Sequence, residues 1–219
     1  MFNKSIMTEA VNLADKHRKV LHSIPESAFK ERRTTAYIRE ACAAYPLKLI
    51  DIGMETGVVC YLDAGKDETV ALRADIDALP TEQGPMHLCG HDAHTGTMLG
   101  AIHYLCAVRE DLPYNVLFLF QPAEEGTRGA KAMLDHGLLE KIPQKPVRIF
   151  GIHNRPEVDC GDVGVHKGPL MSEKKHLQDH VYRRSGTRFP ASQMCRSYSC
   201  CRIVCDWSAD CSEQKCGSV

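Results

Sequence analysis

The sequence has no marked excess of either charge, no long apolar run and no apolar stretch at its start. The net charge is -1 with 25% charged residues, so nothing favours binding to nucleic acid or to an anionic membrane surface. The longest apolar runs, such as residues 116–120, are far too short to cross a bilayer. Residues 1–10 lack the apolar segment and cleavage site of a signal peptide. We therefore expect a cytoplasmic protein without a nucleic-acid or membrane partner.

Cysteine is distributed unevenly along the 219 residues. Five of the 11 cysteines are scattered over the first 172 residues, and six crowd into the last 25. A secreted disulfide scaffold is usually short and rich in cysteine throughout, which this chain is not. The sequence therefore predicts two parts, residues 1–172 and residues 173–219, that need separate explanations.

Strand and helix patterns alternate in the first part. Apolar residues at helical spacing predict helices over residues 5–22, 34–44, 93–108 and 127–136. Short β-branched and apolar runs predict strands over residues 57–62, 69–74, 115–120 and 147–152, the last two buried. Residues 63–67 are interpreted as a hairpin turn between the first two strands. This alternation predicts an α/β fold, an αβα sandwich with a mostly parallel central sheet, of which the chain holds the N-terminal part.

Acidic and imidazole side chains directly follow three of the predicted strands. Asp75 and Asp77 follow the second strand, Glu124 and Glu125 the third, and His153 the fourth. In parallel sheets the ligand site forms at the carboxyl ends of the strands, so we expect these side chains to lie together.

Residues 86–95 hold a thiol, three imidazoles and a carboxylate. Thiolate and imidazole are good zinc ligands, and imidazole also suits manganese, cobalt and nickel. Gly90 permits a tight backbone that lets Cys89 and His91 point to one place, and Asp92 could orient an imidazole from outside the ligand set. The alternative is a polar loop that caps a helix at Asp92.

The other clusters also have a structural and a functional interpretation. Adjacent carboxylates such as Glu124 and Glu125 at the end of an apolar strand cost free energy through desolvation and mutual repulsion, which a bound cation would offset. The alternative is the N-terminus of a helix, where the helix dipole favours acidic residues. His153 alone is more typical of a structural histidine. Asp75 and Asp77 could hold a ligand or brace the site, and residues 22–26 are well explained as a helix end. Three clusters in order, each after a strand, favour one shared metal site.

Together these motifs resemble the aminoacylase and carboxypeptidase-type metallopeptidases, in the amidohydrolase branch that includes hippurate hydrolases, indole-acetyl-amino-acid hydrolases and N-acetyldiaminopimelate deacetylases. The matching stretches are residues 22–26, 71–80, 86–95, 121–126, 151–156 and 168–171. The resemblance implies that Cys89, His91, Glu125 and His153 bind two divalent metal ions (zinc, manganese, cobalt or nickel) and that Glu124 is the general base. It further implies cleavage of a small N-acyl amino acid into a carboxylic acid and an amino acid.

The sequence departs from this family pattern in two places. Residues 80–86 form a shorter loop than the family pattern has near the substrate, so the identity of the substrate's acyl group stays open. The family chain is nearly twice as long and adds a lid and dimerisation domain and a further metal-ligating histidine, none of which is recognisable here, so the oligomeric state also stays open. The alternative function is a truncated, inactive family member that retains a partial metal site.

Residues 173–219 lose all periodicity and are rich in cysteine, arginine and serine. The six cysteines contain no Cys-x-x-Cys pair, which disfavours a zinc ribbon or finger, and a metal or redox module carried by an inert α/β scaffold stays a further alternative. Such a composition is typical of out-of-frame coding, and one choice of codons for residues 185–188 encodes Gly-His-Ala, a stretch of the family lid, in another frame. The prediction is a frameshifted, poorly ordered tail outside the family fold.

Overall fold

A computed structural model describes residues 3–125, 128–155, 158–159, 161–165 and 168, together with the backbone of Ile203–Cys205. The helices are α1 (Lys4–His22), α2 (Arg32–Ala43), α3 (His91–Ala107), α4 (Gly129–Asp135) and α5 (Leu138–Lys141), with a 3-10 turn at Arg109–Asp111. The strands are β1 (Lys48–Ile50), β2 (Val58–Leu62), β3 (Thr69–Asp75), β4 (Leu79–Thr81), β5 (Gly84–Met86), β6 (Asn115–Gln121), β7 (Arg148–Gly151) and β8 (Ile203–Cys205).

Six of these strands form one sheet in the order β1-β2-β6-β3-β7-β8. Strands β6, β3 and β7 are parallel to one another, whereas β2 and β8 are antiparallel to their neighbours. Because β1 is antiparallel to β2, it runs in the same direction as the parallel group, so four of the six strands share one direction. The predicted mostly parallel sheet is confirmed.

Helices cover both faces of the sheet. Alternate residues of β2 and β6 point to opposite sides, and each side builds a separate apolar cluster. One cluster joins the sheet to α1, α2 and α3 through residues such as Leu21, Ile38 and Leu99. The other joins it to α4 and α5 through residues such as Met133 and Leu138. This is the αβα sandwich that the sequence predicts.

The predicted hairpin at residues 63–67 is wrong, because β6 lies between β2 and β3 in the sheet. All seven residues of β6 are buried, so this strand takes the centre where both of its faces are covered. The connecting segment instead crosses the start of β6. The Asn115 side chain accepts from the backbone N–H groups of Ala64 (2.9 Å) and Lys66 (3.1 Å) and so holds the crossing in place.

The structure has the strand predicted over residues 147–152, but this strand is not buried as predicted. β7 pairs with β3, but Phe150 is 39% and Val147 43% exposed. Neither residue belongs to the two apolar clusters, which end at the partly buried Ile149. β7 therefore lies at the margin of the packed core, a position that no local sequence pattern indicates.

Close packing of α1 against α3 fixes the helix whose first turn carries the histidines. A Cβ on Gly100 would lie 2.5 Å from the Ala10 carbonyl oxygen, and one on Gly96 would lie 2.7 Å from that of Ala14. The four predicted helices are confirmed, whereas β1, α5 and the β4–β5 hairpin were not predicted. Among the described residues no helix is both long and apolar enough to span a membrane. The predicted tail, residues 173–219, lies outside the described residues except for the backbone of β8.

Candidate metal centre

The parallel strands deliver three of the predicted clusters to one edge of the sheet. Asp75 at the end of β3 is the register partner of Gln121 at the end of β6, and Arg73 is that of Gly151 at the end of β7. The loops that follow β6 and β7 therefore emerge beside the end of β3, and the first turn of α3 packs over the same edge. The expected meeting of the clusters is confirmed.

Cys89, His91 and His153 come together, as the sequence predicts. Their donor atoms lie within 4.8 Å of one another, and the Cys89 Sγ lies 3.3 Å from the His153 Nε2. Gly90 makes the approach possible, because it has φ +78° and a Cβ there would collide with the Asn154 side chain. His153 donates from Nδ1 to the Asn154 carbonyl oxygen (2.7 Å), so its Nε2 lone pair faces the thiol.

His91 is the centre of the cluster. Its Nδ1 lies 2.9 Å from the backbone oxygen and 3.1 Å from the Oδ1 of Asp77, two acceptors that fix the proton on Nδ1. Its Nε2 is buried and has no hydrogen-bond partner in the described part of the chain. The nearest carboxylate oxygens to Nε2 belong to Asp75 (3.6 Å) and Glu125 (3.8 Å). A buried lone pair among acidic groups is the arrangement that a cation completes.

Glu124 and Glu125 join the same centre from the loop after β6. A carboxylate oxygen of each lies within 4.8 Å of a His91 nitrogen and of the other. The Glu125 backbone N–H donates to the Oδ2 of Asp77 (3.0 Å), so one carboxylate holds both the His91 ring and this loop. Two adjacent, partly buried carboxylates repel each other, which a bound cation would relieve.

The pKa values reflect this crowding of charge. Burial opposes the imidazolium, but Asp77, the Cys89 side chain and nearby carboxylate charge raise the pKa of His91 to about 11, so a cation at Nε2 would take the place of a proton. Burial, and then the like charge of Glu125, raises the pKa of Glu124 above its usual value. Burial lowers the pKa of His153 and so favours the neutral imidazole that a metal requires.

Asp75 and Asp77, for which the sequence leaves two roles open, both brace histidines. The Oδ1 of Asp75 accepts from the His94 Nδ1 (2.6 Å), and its Oδ2 accepts from Arg73 (2.7 Å). Burial alone would raise the pKa of Asp75, but the hydrogen bond from His94 and the Arg73 guanidinium hold it well below its usual range. Asp75, His91 and His94 also have donor atoms within 4.8 Å, but the observed contacts already engage Asp75 and His94.

Sequence reasoning did not single out His94. This buried side chain accepts at Nε2 from the Asn154 backbone N–H (2.9 Å) while its Nδ1 donates to Asp75. Both ring nitrogens are therefore used, and His94 links the end of β3 to the loop that carries His153. Its position three residues after His91 on a helix was the available signal, since side chains at that spacing share a face.

Asp92 does orient an imidazole, as the sequence suggests, but the imidazole is His22. The His22 Nδ1 at the end of α1 lies 2.8 Å from the Oδ2 of Asp92 at the start of α3. The interpretation of residues 22–26 as a simple helix end is thus incomplete, because this end of α1 contacts the turn that carries His91.

Two bacterial deacetylases are similar to this chain. N-acetylcysteine deacetylase of Bacillus subtilis (strain 168) is 37% identical over 199 residues, which cover 85% of this chain and 50% of the relative. N-acetyldiaminopimelate deacetylase of Exiguobacterium sibiricum is 36% identical over 184 residues, covering 77% of this chain and 48% of the relative. The chain therefore spans about half the length of these curated relatives.

A solved structure shares the fold. The crystal structure of a dinuclear metal binding peptidase of Bacillus subtilis superimposes with a TM-score of 0.66 at 38% identity, over 77% of this chain and 49% of that one. The sequence profile of peptidase family M20/M25/M40 matches residues 71–211, a range that extends past the predicted boundary at residue 172. That boundary stays a prediction. The fold, the clustered side chains that could hold a metal and these similarities together show that the chain belongs to peptidase family M20/M25/M40.

Proposed function

We propose that this protein hydrolyses the amide bond of N-acyl amino acids with the help of two divalent metal ions. The observation that carries the proposal is the buried His91 Nε2, which has no hydrogen-bond partner among the described residues, on a ring that belongs to both the Cys89–His153 group and the Glu124–Glu125 group of donors. The names of the two deacetylase relatives support cleavage of an acetyl group from an amino acid nitrogen. Hippurate and N-acetyl amino acids are therefore the substrates to test first.

The side chains present fit such a metal pair. The proposed ligands are Cys89, His91, Glu125 and His153, which include a thiol and two imidazoles whose free nitrogens face the cluster. This set of donors suits zinc, and the imidazole and carboxylate ligands also admit manganese, cobalt or nickel. Bound there, the metal pair would supply a Lewis acid for the amide carbonyl and would activate a water molecule.

Glu124 is the proposed general base. Burial and the neighbouring charge of Glu125 raise its pKa, which makes its carboxylate a stronger base than an exposed glutamate. Glu124 would take a proton from the attacking water and deliver it to the nitrogen of the leaving amino acid. Asp77 would hold His91 and the Glu125 backbone in place during this transfer.

A second candidate is a chain that binds metal without turnover. The observation that favours it is the exposed margin at the end of β7, where Phe150 (39% exposed) and Ile152 (56% exposed) stay outside the two apolar clusters directly before His153. A site wall that is only partly covered admits water and weakens every electrostatic interaction that catalysis needs. This candidate has the same four proposed metal ligands and the same predicted boundary between residues 1–172 and 173–219.

Metal content and amide hydrolysis distinguish the two candidates. The purified chain, loaded in turn with each of the four metals, should bind close to two ions and release free amino acid from N-acetylcysteine or hippurate. A chelator should abolish the release and added metal should restore it. Two bound ions without any release would favour the second candidate, and a chain that binds no metal would contradict both.

A further inference from the structure

Glu31 is a buried carboxylate to which the proposed reaction assigns no role. It occupies the N-cap position of α2 and is 0% exposed, yet its side chain makes no capping hydrogen bond. Glu26 caps the N-terminus of α2 instead, because its carboxylate accepts from the backbone N–H groups of Arg33 (3.2 Å) and Thr34 (2.9 Å). Glu31 is thereby free to reach elsewhere.

The Glu31 side chain reaches the loop that carries the proposed base. Its Oε1 accepts a hydrogen bond from the backbone N–H of Ala123 (2.8 Å), the residue directly before Glu124. Ala123 is fully buried and has φ +52°, a left-handed conformation that residues other than glycine and asparagine seldom adopt. The backbone therefore turns under constraint immediately before Glu124, and Glu31 binds it at that point.

The surroundings of Ala123 are fixed on its other sides as well. Its carbonyl oxygen accepts from the Gly129 N–H (3.0 Å), and a Cβ on Gly129 would collide with the Pro122 carbonyl oxygen. The ring of Pro122 lies against Gly57, where an added Cβ would come within 2.8 Å of the proline Cδ. The turn is therefore closely packed, and the N-cap side chain of α2 holds its Ala123 N–H.

The hydrogen bond to the Ala123 N–H requires an acceptor at this place but not a charged one. The second oxygen of Glu31 is buried and has no hydrogen-bond partner in the part of the chain that the structure describes. Burying such a group is unfavourable, and a neutral glutamine could accept from the Ala123 N–H without burying a charge. Unfavourable groups and left-handed residues that persist together are typical of functional sites.

We propose that Glu31 is a positioning residue for Glu124: its hydrogen bond to the Ala123 N–H fixes the left-handed turn that aims the Glu124 carboxylate into the metal centre. This inference rests on the proposed role of Glu124 as the base. Glu125, in contrast, is held through Asp77, so loss of Glu31 should disturb the base and leave metal binding intact.

Three variants separate the hydrogen bond from charge and from general stability. Glu31→Gln keeps an acceptor oxygen at the same distance from the backbone. Glu31→Asp keeps the charge but moves the carboxylate away from the Ala123 N–H. Glu26→Ala removes the cap of α2 and leaves the hydrogen bond to Ala123 in place. In the metal-loaded protein, Glu31→Asp should lower kcat about 100-fold with KM within about twofold of the parent value. Glu31→Gln should stay within about tenfold of the parent kcat, and Glu26→Ala should lower the melting temperature with little change in kcat.

Hydrogen exchange at the Ala123 amide and crystal structures of the variants provide readouts that do not need turnover. Exchange should be at least about tenfold faster in Glu31→Asp than in the parent, and unchanged in Glu31→Gln. The Glu124 carboxylate should move in Glu31→Asp while two metals remain bound. If the parent binds metal but is inactive, the proposed function fails and these readouts still decide the role of Glu31. Equal exchange and an unmoved Glu124 in Glu31→Asp would overturn it.

Discussion

Replacing Glu124 by glutamine should abolish most amide hydrolysis while both metals stay bound. The amide of the introduced glutamine cannot accept the proton of the attacking water, and a positioned base contributes about 10²–10⁴-fold to a rate. The substitution leaves the loop anchored, because it is the Glu125 backbone N–H that donates to Asp77. The expected result is therefore a fall in kcat of about 100-fold or more, with KM nearly unchanged.

Steady-state kinetics and metal analysis on the same preparations measure this effect. Glu140→Gln, an exposed glutamate in α5, is the matched control for loss of one carboxylate and should behave like the parent. Glu125→Gln should instead lose metal together with activity. Full activity in Glu124→Gln would remove Glu124 from the reaction, and loss of metal in that variant would make it a ligand rather than a base.

Replacing His91 by asparagine should have the largest effect on metal binding. Among the described residues, His91 alone is shared by the thiol–imidazole group and the two-carboxylate group of donors. An asparagine amide can still donate to Asp77 and preserve the turn, but it removes the buried Nε2 lone pair. Loss of a partner outside the ligand set typically weakens binding about 10–100-fold, so loss of this ligand should weaken it by more than about 100-fold.

Isothermal titration with zinc or cobalt measures the affinity. His103→Asn is the matched control, because His103 lies on the same helix and contacts Tyr45 far from the centre. That variant should bind metal as the parent does. Unchanged affinity in a folded His91→Asn protein would show that the cation, if any, binds without His91, and the proposed centre would be wrong.

Much of this centre follows from sequence because the relevant signals are local. The apolar run of β6 and the residues after it predict a buried strand that ends in two carboxylates, and the structure has both. Since parallel strands end at a common edge, the order of the motifs is enough to bring Asp75, Glu125 and His153 together. The meeting of Cys89 and His91 follows from the glycine between them.

Other features depend on contacts that no local pattern encodes. Residues 63–67 have the composition of a hairpin turn, but β6 takes the place between β2 and β3, and the backbone N–H groups of Ala64 and Lys66 donate to the Asn115 side chain as the segment crosses β6. Glu31 is part of a charged run, and its distance of 92 residues from Ala123 hides their hydrogen bond. The His94–Asp75 and His22–Asp92 contacts likewise form only when α3 packs against β3 and against α1.

Anomalous X-ray scattering from crystals soaked in cobalt or zinc tests the central claim most directly. The account predicts two peaks a few Å apart, enclosed by the Cys89 sulfur, the His91 and His153 Nε2 atoms and the Glu125 carboxylate, with the Glu124 carboxylate beside them and not bound to either. A single peak elsewhere, or metal bound without Cys89 and His91, would contradict it.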